Sequence, residues 1–126
     1  MRAAIAALSL LMVSGVANAQ PRAVLSGATI NIYNNAAVNP DCSSAGQIVL
    51  RITQPPEHGR VSVKNTRVFP YFPPFNPRSV CNHTRVPGVQ LFYISQRGYF
   101  GSDSLSFEMF GPNGQSRQFN YDISVR

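Results

Sequence analysis

Acidic residues are scarce in this chain. Five Asp and Glu stand against eleven Lys and Arg in 126 residues, a net charge of +6. The cations are mostly arginine and lie scattered, with no basic run. Such a surface favours polyanions such as surface polysaccharide or lipid head groups, or does no more than keep the protein soluble. Nucleic acid is not an expected partner. Signals for catalysis are missing too. No serine falls in a G-x-S-x-G context, and neither a phosphate loop nor a dinucleotide fingerprint is present. Glu57, His58 and His83 form the only metal-like or acid–base group. The two histidines lie far apart, whereas a zinc site needs three or four ligands in fixed geometry. The expectation is therefore a protein with no catalytic residue, no metal and no cofactor, and not an enzyme.

Long apolar runs are also absent. The longest apolar stretch opens the chain, in MRAAIAALSLLMVSGVANAQ. Arg2 supplies one positive charge, Ala3 to Val13 is apolar apart from Ser9, and Ala17-Asn18-Ala19 carries small residues where a signal peptidase reads them. The run is too short for a transmembrane helix, which needs about 20 apolar residues. Residues 1–19 are expected to be a signal peptide cleaved after Ala19, with 20–126 as one exported domain, periplasmic or extracellular. Cysteine is limited to Cys42 and Cys81. In an exported chain the pair is expected to form a disulfide. Two free thiols or a redox pair are the alternatives, and a redox pair normally sits as C-x-x-C. Closing a loop of about 40 residues is worth roughly 4 kcal/mol on a chain-entropy basis.

Nothing after residue 19 has the periodicity of a long helix. Ten prolines and nine glycines punctuate the chain, with β-branched and aromatic residues between them. ATINIY (28–33) predicts a strand. QIVLRIT (47–53) alternates, with Ile48, Leu50 and Ile52 on one face. A turn at 54–59 precedes a short strand, 60–64, with Val61 and Val63 inward. VQLFYI (89–94) suggests a strand covered on both faces or near the middle of a sheet. At the end of the chain, Leu105, Phe107 and Met109 share one face, and Phe119, Tyr121, Ile123 and Val125 share another. Gly111-Pro112-Asn113-Gly114 turns between them, which predicts an antiparallel hairpin. Six or seven short strands with turns between them predict an all-β sandwich.

Several of these pieces occur in a familiar order. Pro56-Glu57-His58-Gly59-Arg60-Val61 comes first, then Tyr93, Gly98 and Phe100-Gly101-Ser102-Asp103-Ser104-Leu105-Ser106-Phe107. Asn113-Gly114 and Tyr121-Asp122-Ile123-Ser124-Val125 follow. This order resembles the bacterial cadherin-like and immunoglobulin-like repeat domains over roughly residues 47–126. The chain is also similar to small exported proteobacterial proteins that carry one such domain with a cysteine pair. The resemblance implies an immunoglobulin-like antiparallel β-sandwich of about seven strands, with His58 a turn residue before Gly59. The chain departs from the family in holding one module rather than a tandem array. Calcium-binding relatives carry acidic residues at module boundaries, and a calcium site needs six to eight oxygen ligands. Five dispersed acids do not supply them, so calcium is not carried over.

Asp103 follows a glycine at the start of a strand. It is expected to accept backbone N–H bonds from its own turn, with Gly101 permitting the bend and Phe100 plugging the end of the core. VFPYFPPFNP (68–77) is different. Its prolines exclude a central strand, so it reads as an extended or edge segment. Phe69, Tyr71, Phe72 and Phe75, flanked by Arg67 and Arg78, either fold back over one end of the sandwich near Cys81 or present an aromatic surface to a sugar chain or protein partner. The expected function is a non-enzymatic interaction or structural module of the cell envelope, meeting an envelope protein or polysaccharide through its loops and the 67–78 segment. The alternative is a polyanion-binding protein acting through Arg51, Arg60, Arg67, Arg78 and Arg85.

Overall fold

A computed structural model describes residues 19–126. The expected signal peptide, apart from Ala19, lies outside the described residues. The described chain is built from β-strands, one 3-10 helix and the turns between them.

Two sheets face each other across the main core. The first has the order β1 (Gln20–Val24), β9 (Ser116–Val125), β8 (Gly101–Phe110), β5 (Val49–Gln54). The second has the order β2 (Thr29–Asn35), β7 (Val86–Ser95), β6 (Gly59–Val68). A small ladder of β3 (Ala37–Val38) and β4 (Ser44–Gly46) sits in the β2–β5 connection. The long pairings are antiparallel, with Gly101 opposite Val125 in β8–β9 and Gly59 opposite Ser95 in β6–β7. One pair departs from the expected antiparallel pattern: β1 runs parallel to β9, with Gln20 opposite Tyr121 and Val24 opposite Val125.

Alternation explains most of the core. Along β9, Tyr121, Ile123 and Val125 are buried while Asp122 and Ser124 are exposed. Along β7, Val89, Leu91, Tyr93 and Ser95 are buried, with Gln90, Phe92 and Ile94 half-buried between them. This strand does lie in the middle of its sheet, but one face alone is fully covered. Val24, Ile32, Leu91, Tyr93, Leu105, Phe107, Tyr121, Ile123 and Val125 form one cluster between the sheets. Phe107 is its hub. Its ring lies 5.0 Å from Tyr33 edge-on, and 5.1 and 5.8 Å from the stacked rings of Phe119 and Tyr121. Aromatic pairs at such distances add about 0.5–1.5 kcal/mol each beyond their buried area.

Val63 departs from the expectation. It was expected inward but is 42 % exposed. Its parity matches Val61, yet β6 is an edge strand, and facing inward at an edge does not guarantee cover by the opposite sheet.

A second, smaller cluster comprises Ala36, Val38, Val68, Cys81 and Val86, with Cys42 and Phe72 packed against it. It gathers at the end of the sandwich where β6 finishes and β7 begins. Cys42 and Cys81 form a disulfide there, with Cα atoms 5.4 Å apart. The segment after β6 belongs to no strand through residue 73, turns at 74–76, and enters the 3-10 helix Pro77–His83. Asn76 caps that helix by accepting the backbone N–H of Arg78 at 2.8 Å, and Pro77 occupies the first position, where its missing N–H costs nothing.

Candidate functional site

Two regions combine polar chemistry with aromatic rings, one at each end of the sandwich. β6 separates them by about 30 Å, at about 3.3 Å per strand residue.

The first is the corner around Asp103. The carboxylate is buried and accepts four hydrogen bonds. Oδ1 takes the backbone N–H of Glu57 at 3.0 Å and of Ser104 at 2.9 Å. Oδ2 takes the backbone N–H of His58 at 3.1 Å and the hydroxyl of Tyr93 at 2.7 Å. The expectation of a purely local turn is thus corrected. Only the Ser104 bond is local. The others tie β8 to the β5–β6 turn and to β7, because a carboxylate buried at a three-way junction must collect its donors from whichever segments meet there. Burial pushes the Asp103 carboxyl up, but the Tyr93 hydroxyl and the three backbone N–H groups outweigh it and hold the carboxyl below its ordinary value. Burial pushes the Tyr93 phenol up, and the hydrogen bond to Asp103 and its charge push the same way.

His58 and Gly59 complete the corner. The His58 imidazole stacks flat on Tyr99, with centroids 3.8 Å apart. Gly59 is needed for space: a Cβ there would meet the Tyr93 ring at 2.6 Å and the Ile94 carbonyl oxygen at 2.7 Å. Gly101 has φ +139°, a conformation that side-chain-bearing residues rarely adopt. Phe100 is not the plug. It is 69 % exposed, and Tyr99 packs against the core in its place. Two consecutive residues in so tight a turn cannot both face inward, and Tyr99 gains the His58 stack together with a 2.6 Å bond from its hydroxyl to the Ser102 carbonyl. Glu57 lies 3.9 Å from His58, while His83 belongs to the 3-10 helix at the other end, so the structure does not bring the two histidines together. With every acceptor of Asp103 engaged, this corner joins three segments of backbone.

The second region is the 67–78 segment. Here the structure divides the predicted residues. Phe72 is half-buried on the small cluster, and its backbone is gripped at both ends by one side chain: Asn82 Oδ1 accepts the Phe72 N–H at 2.9 Å, and Asn82 Nδ2 donates to the Phe72 carbonyl at 3.0 Å. Arg78 is half-buried, and its Nε donates to the Val38 carbonyl at 3.1 Å. These two residues hold the segment. Phe69, Tyr71 and Phe75 point outward, at 51 %, 93 % and 89 % exposure. Arg67 donates to the Arg85 carbonyl at 2.7 Å, and the Arg85 guanidinium lies over the Phe69 ring, 5.2 Å from its centroid.

A groove of about 590 Å³ runs between Asn34, Asn35 and Ala36 on one side and Phe69, Tyr71 and Phe72 on the other. Phe72 also borders a second groove of about 580 Å³ towards Asn76, Arg78 and Met109. Arg51 and Arg60 are exposed on β5 and β6, and neither lines either groove.

Sequence reasoning missed Asn82, Asn34 and the pairing of Arg85 with Phe69. The signal that could have drawn notice is a polar residue beside Cys81, near enough to satisfy backbone that proline leaves outside any ladder.

No family model matches the sequence, and no curated protein does. Among solved structures, the solution structure of amebosin is similar at a TM-score of 0.48 and 12 % identity, over 84 % of this chain and 88 % of that one.

Proposed function

We propose that the protein is a non-enzymatic binding module of the cell envelope, exported and cleaved after Ala19, whose contact surface is the 67–78 segment. One observation carries this reading: three large aromatic side chains stand in solvent on a segment that is held in place. Phe69, Tyr71 and Phe75 are exposed, while the disulfide, the Asn82–Phe72 pair and the Arg78–Val38 bond fix the backbone between and around them. Exposed aromatics on a pre-ordered frame lose little conformational entropy on binding, which is where preorganisation raises affinity.

An immunoglobulin-like frame suits this role. The arrangement β1-β9-β8-β5 against β2-β7-β6, with its short parallel pair at the edge, supports that assignment. It leaves the long β6–β7 connection at one end, free to differ while the sheets stay intact.

The test is capture from an envelope extract by the immobilised domain, at low and at moderate salt. Capture that persists in salt and is lost in Tyr71→Ala supports the aromatic surface. Capture that vanishes in moderate salt and survives in Tyr71→Ala supports scattered arginine charge instead, since exposed charges are screened.

A further inference from the structure

We infer that the groove beside Phe69 and Tyr71 takes an acidic polysaccharide, with Arg85 pairing to a sugar carboxylate. This rests on the reading of the 67–78 segment as the binding surface and names its ligand class.

Charge is the first argument. Among the described residues no Lys or Arg is in an ion pair with a carboxylate; the sole pair is His58 with Glu57, at the opposite end. Arg67 and Arg78 each spend a donor on backbone, to the Arg85 and Val38 carbonyls. The Arg85 guanidinium donates to no protein acceptor among the described residues, and the bond from Arg67 fixes its backbone. Arg85 is exposed and does not line the groove itself; its guanidinium lies 5.2 Å from the centroid of Phe69, a ring that does, so that a planar set of N–H donors able to pair bidentately with a carboxylate stands beside the groove. Arg22 and Arg117 also lie over rings, but those rings, Tyr121 and Phe119, belong to the main core rather than to a groove.

The groove lining is the second argument. It offers aromatic faces beside amides, a mixture that fits sugar rings with hydroxyls at their edges better than lipid chains. Asn35 and Asn82 are engaged with Tyr33 and Phe72. Asn34 accepts from Asn31 through Oδ1, which leaves its Nδ2 donors facing solvent without a protein partner among the described residues. The Tyr71 hydroxyl likewise has none. A duplex nucleic acid calls for a row of cations tracking phosphates, and this site has one free fork.

The test uses a panel of uronate oligosaccharides (galacturonate, mannuronate and glucuronate-containing), their methyl esters of equal length, and anionic phospholipid vesicles. Binding is measured by calorimetry on the full mature chain, with Arg85→Gln, Tyr71→Ala and Arg51→Gln as variants and melting curves to confirm their fold. The expected result is binding to at least one free-acid oligosaccharide. It weakens roughly tenfold or more on esterification, in Arg85→Gln and in Tyr71→Ala, and is unchanged in Arg51→Gln. Equal binding of acid and ester, equal loss in Arg51→Gln, binding to vesicles alone, or no binding across the panel each overturns the inference. If it is overturned while Tyr71→Ala still abolishes salt-resistant capture from envelope extract, the binding surface stands and the ligand class fails. If Tyr71→Ala leaves that capture intact, both fail.

Discussion

Replacing Asp103 with alanine should be among the most damaging single changes in the protein. The substitution leaves the buried Tyr93 hydroxyl with only a long 3.4 Å bond to the His58 carbonyl, and strands the backbone N–H groups of Glu57 and His58, which water can reach in part. A buried donor left unpaired costs about 1–3 kcal/mol, and bonds to a charged acceptor are at the strong end of the scale. Allowing for partial rescue by water, the expected loss is about 3–5 kcal/mol. For a domain of this size that lowers the melting temperature by roughly 15–30 °C. Asp103→Asn keeps the shape but turns an N–H₂ towards donors at the Oδ2 position, and should cost about 1–3 kcal/mol. Tyr93→Phe removes the hydroxyl from the other side. Because the two residues share a bond, the double mutant should be less destabilised than the sum of the singles, by about 1–2 kcal/mol.

The same corner carries a pH signature. The folded carboxyl lies below its ordinary value, so its contribution is fully present above an unfolded carboxyl value of about 3.9 and is lost as pH falls through the lower, folded value. Asp41, held low by the Ser43 hydroxyl and N–H, shares in that acid slope. Urea unfolding of the wild type and Asp103→Asn between about pH 2.5 and 7 should therefore converge at the acid end. A loss under about 1 kcal/mol for Asp103→Ala, or strict additivity with Tyr93→Phe, would refute the description of this corner as a structural junction.

Three further outcomes follow from the packing. Converting both Cys42 and Cys81 to serine should cost about 4 kcal/mol by loop entropy, read as a fall in the urea midpoint, with most of the local loosening, by hydrogen exchange, around residues 69–86. Gly59→Ala places a methyl group against the Tyr93 ring and the Ile94 carbonyl and should cost about 1–3 kcal/mol or more, whereas alanine at the open position Gly98 incurs only backbone strain of about 1–2 kcal/mol; thermal melts separate the two. Phe107→Ala should cost about 3–5 kcal/mol and Phe100→Ser less than about 0.5 kcal/mol, although the two residues lie seven positions apart in one motif.

The alternating strands were legible because parity is local. Leu105 and Phe107, like Tyr121, Ile123 and Val125, announce their face within a few residues of themselves. Parity does not report cover, which is why Val63 reads inward but ends half in solvent on an edge strand. β1 was not legible at all. QPRAV is too short and too polar to signal a strand, and what holds it is the parallel partner about a hundred residues away. The turn at Gly98–Gly101 shows a different limit. Either Tyr99 or Phe100 could fill the gap, and the choice depends on His58, which is distant in sequence. The 3-10 helix was hidden by proline, which reads as extended chain although Asn76-Pro77 is also a sound cap and first turn. For the candidate site, the aromatic composition of 67–78 was plain. Which rings turn out and which turn in depended on Asn82 and Arg78, whose roles are set by backbone they meet only after folding.

The claim that matters most is that the 67–78 aromatics form a pre-held contact surface. Hydroxyl-radical footprinting of the folded protein, alone and with captured envelope material, tests it directly. The expected result is rapid oxidation of Tyr71 and Phe75 in the free protein and strong protection in the complex, with Tyr93 and Tyr121 protected in both. Slow oxidation of Tyr71 and Phe75 in the free protein, or equal oxidation with and without the bound material, contradicts it.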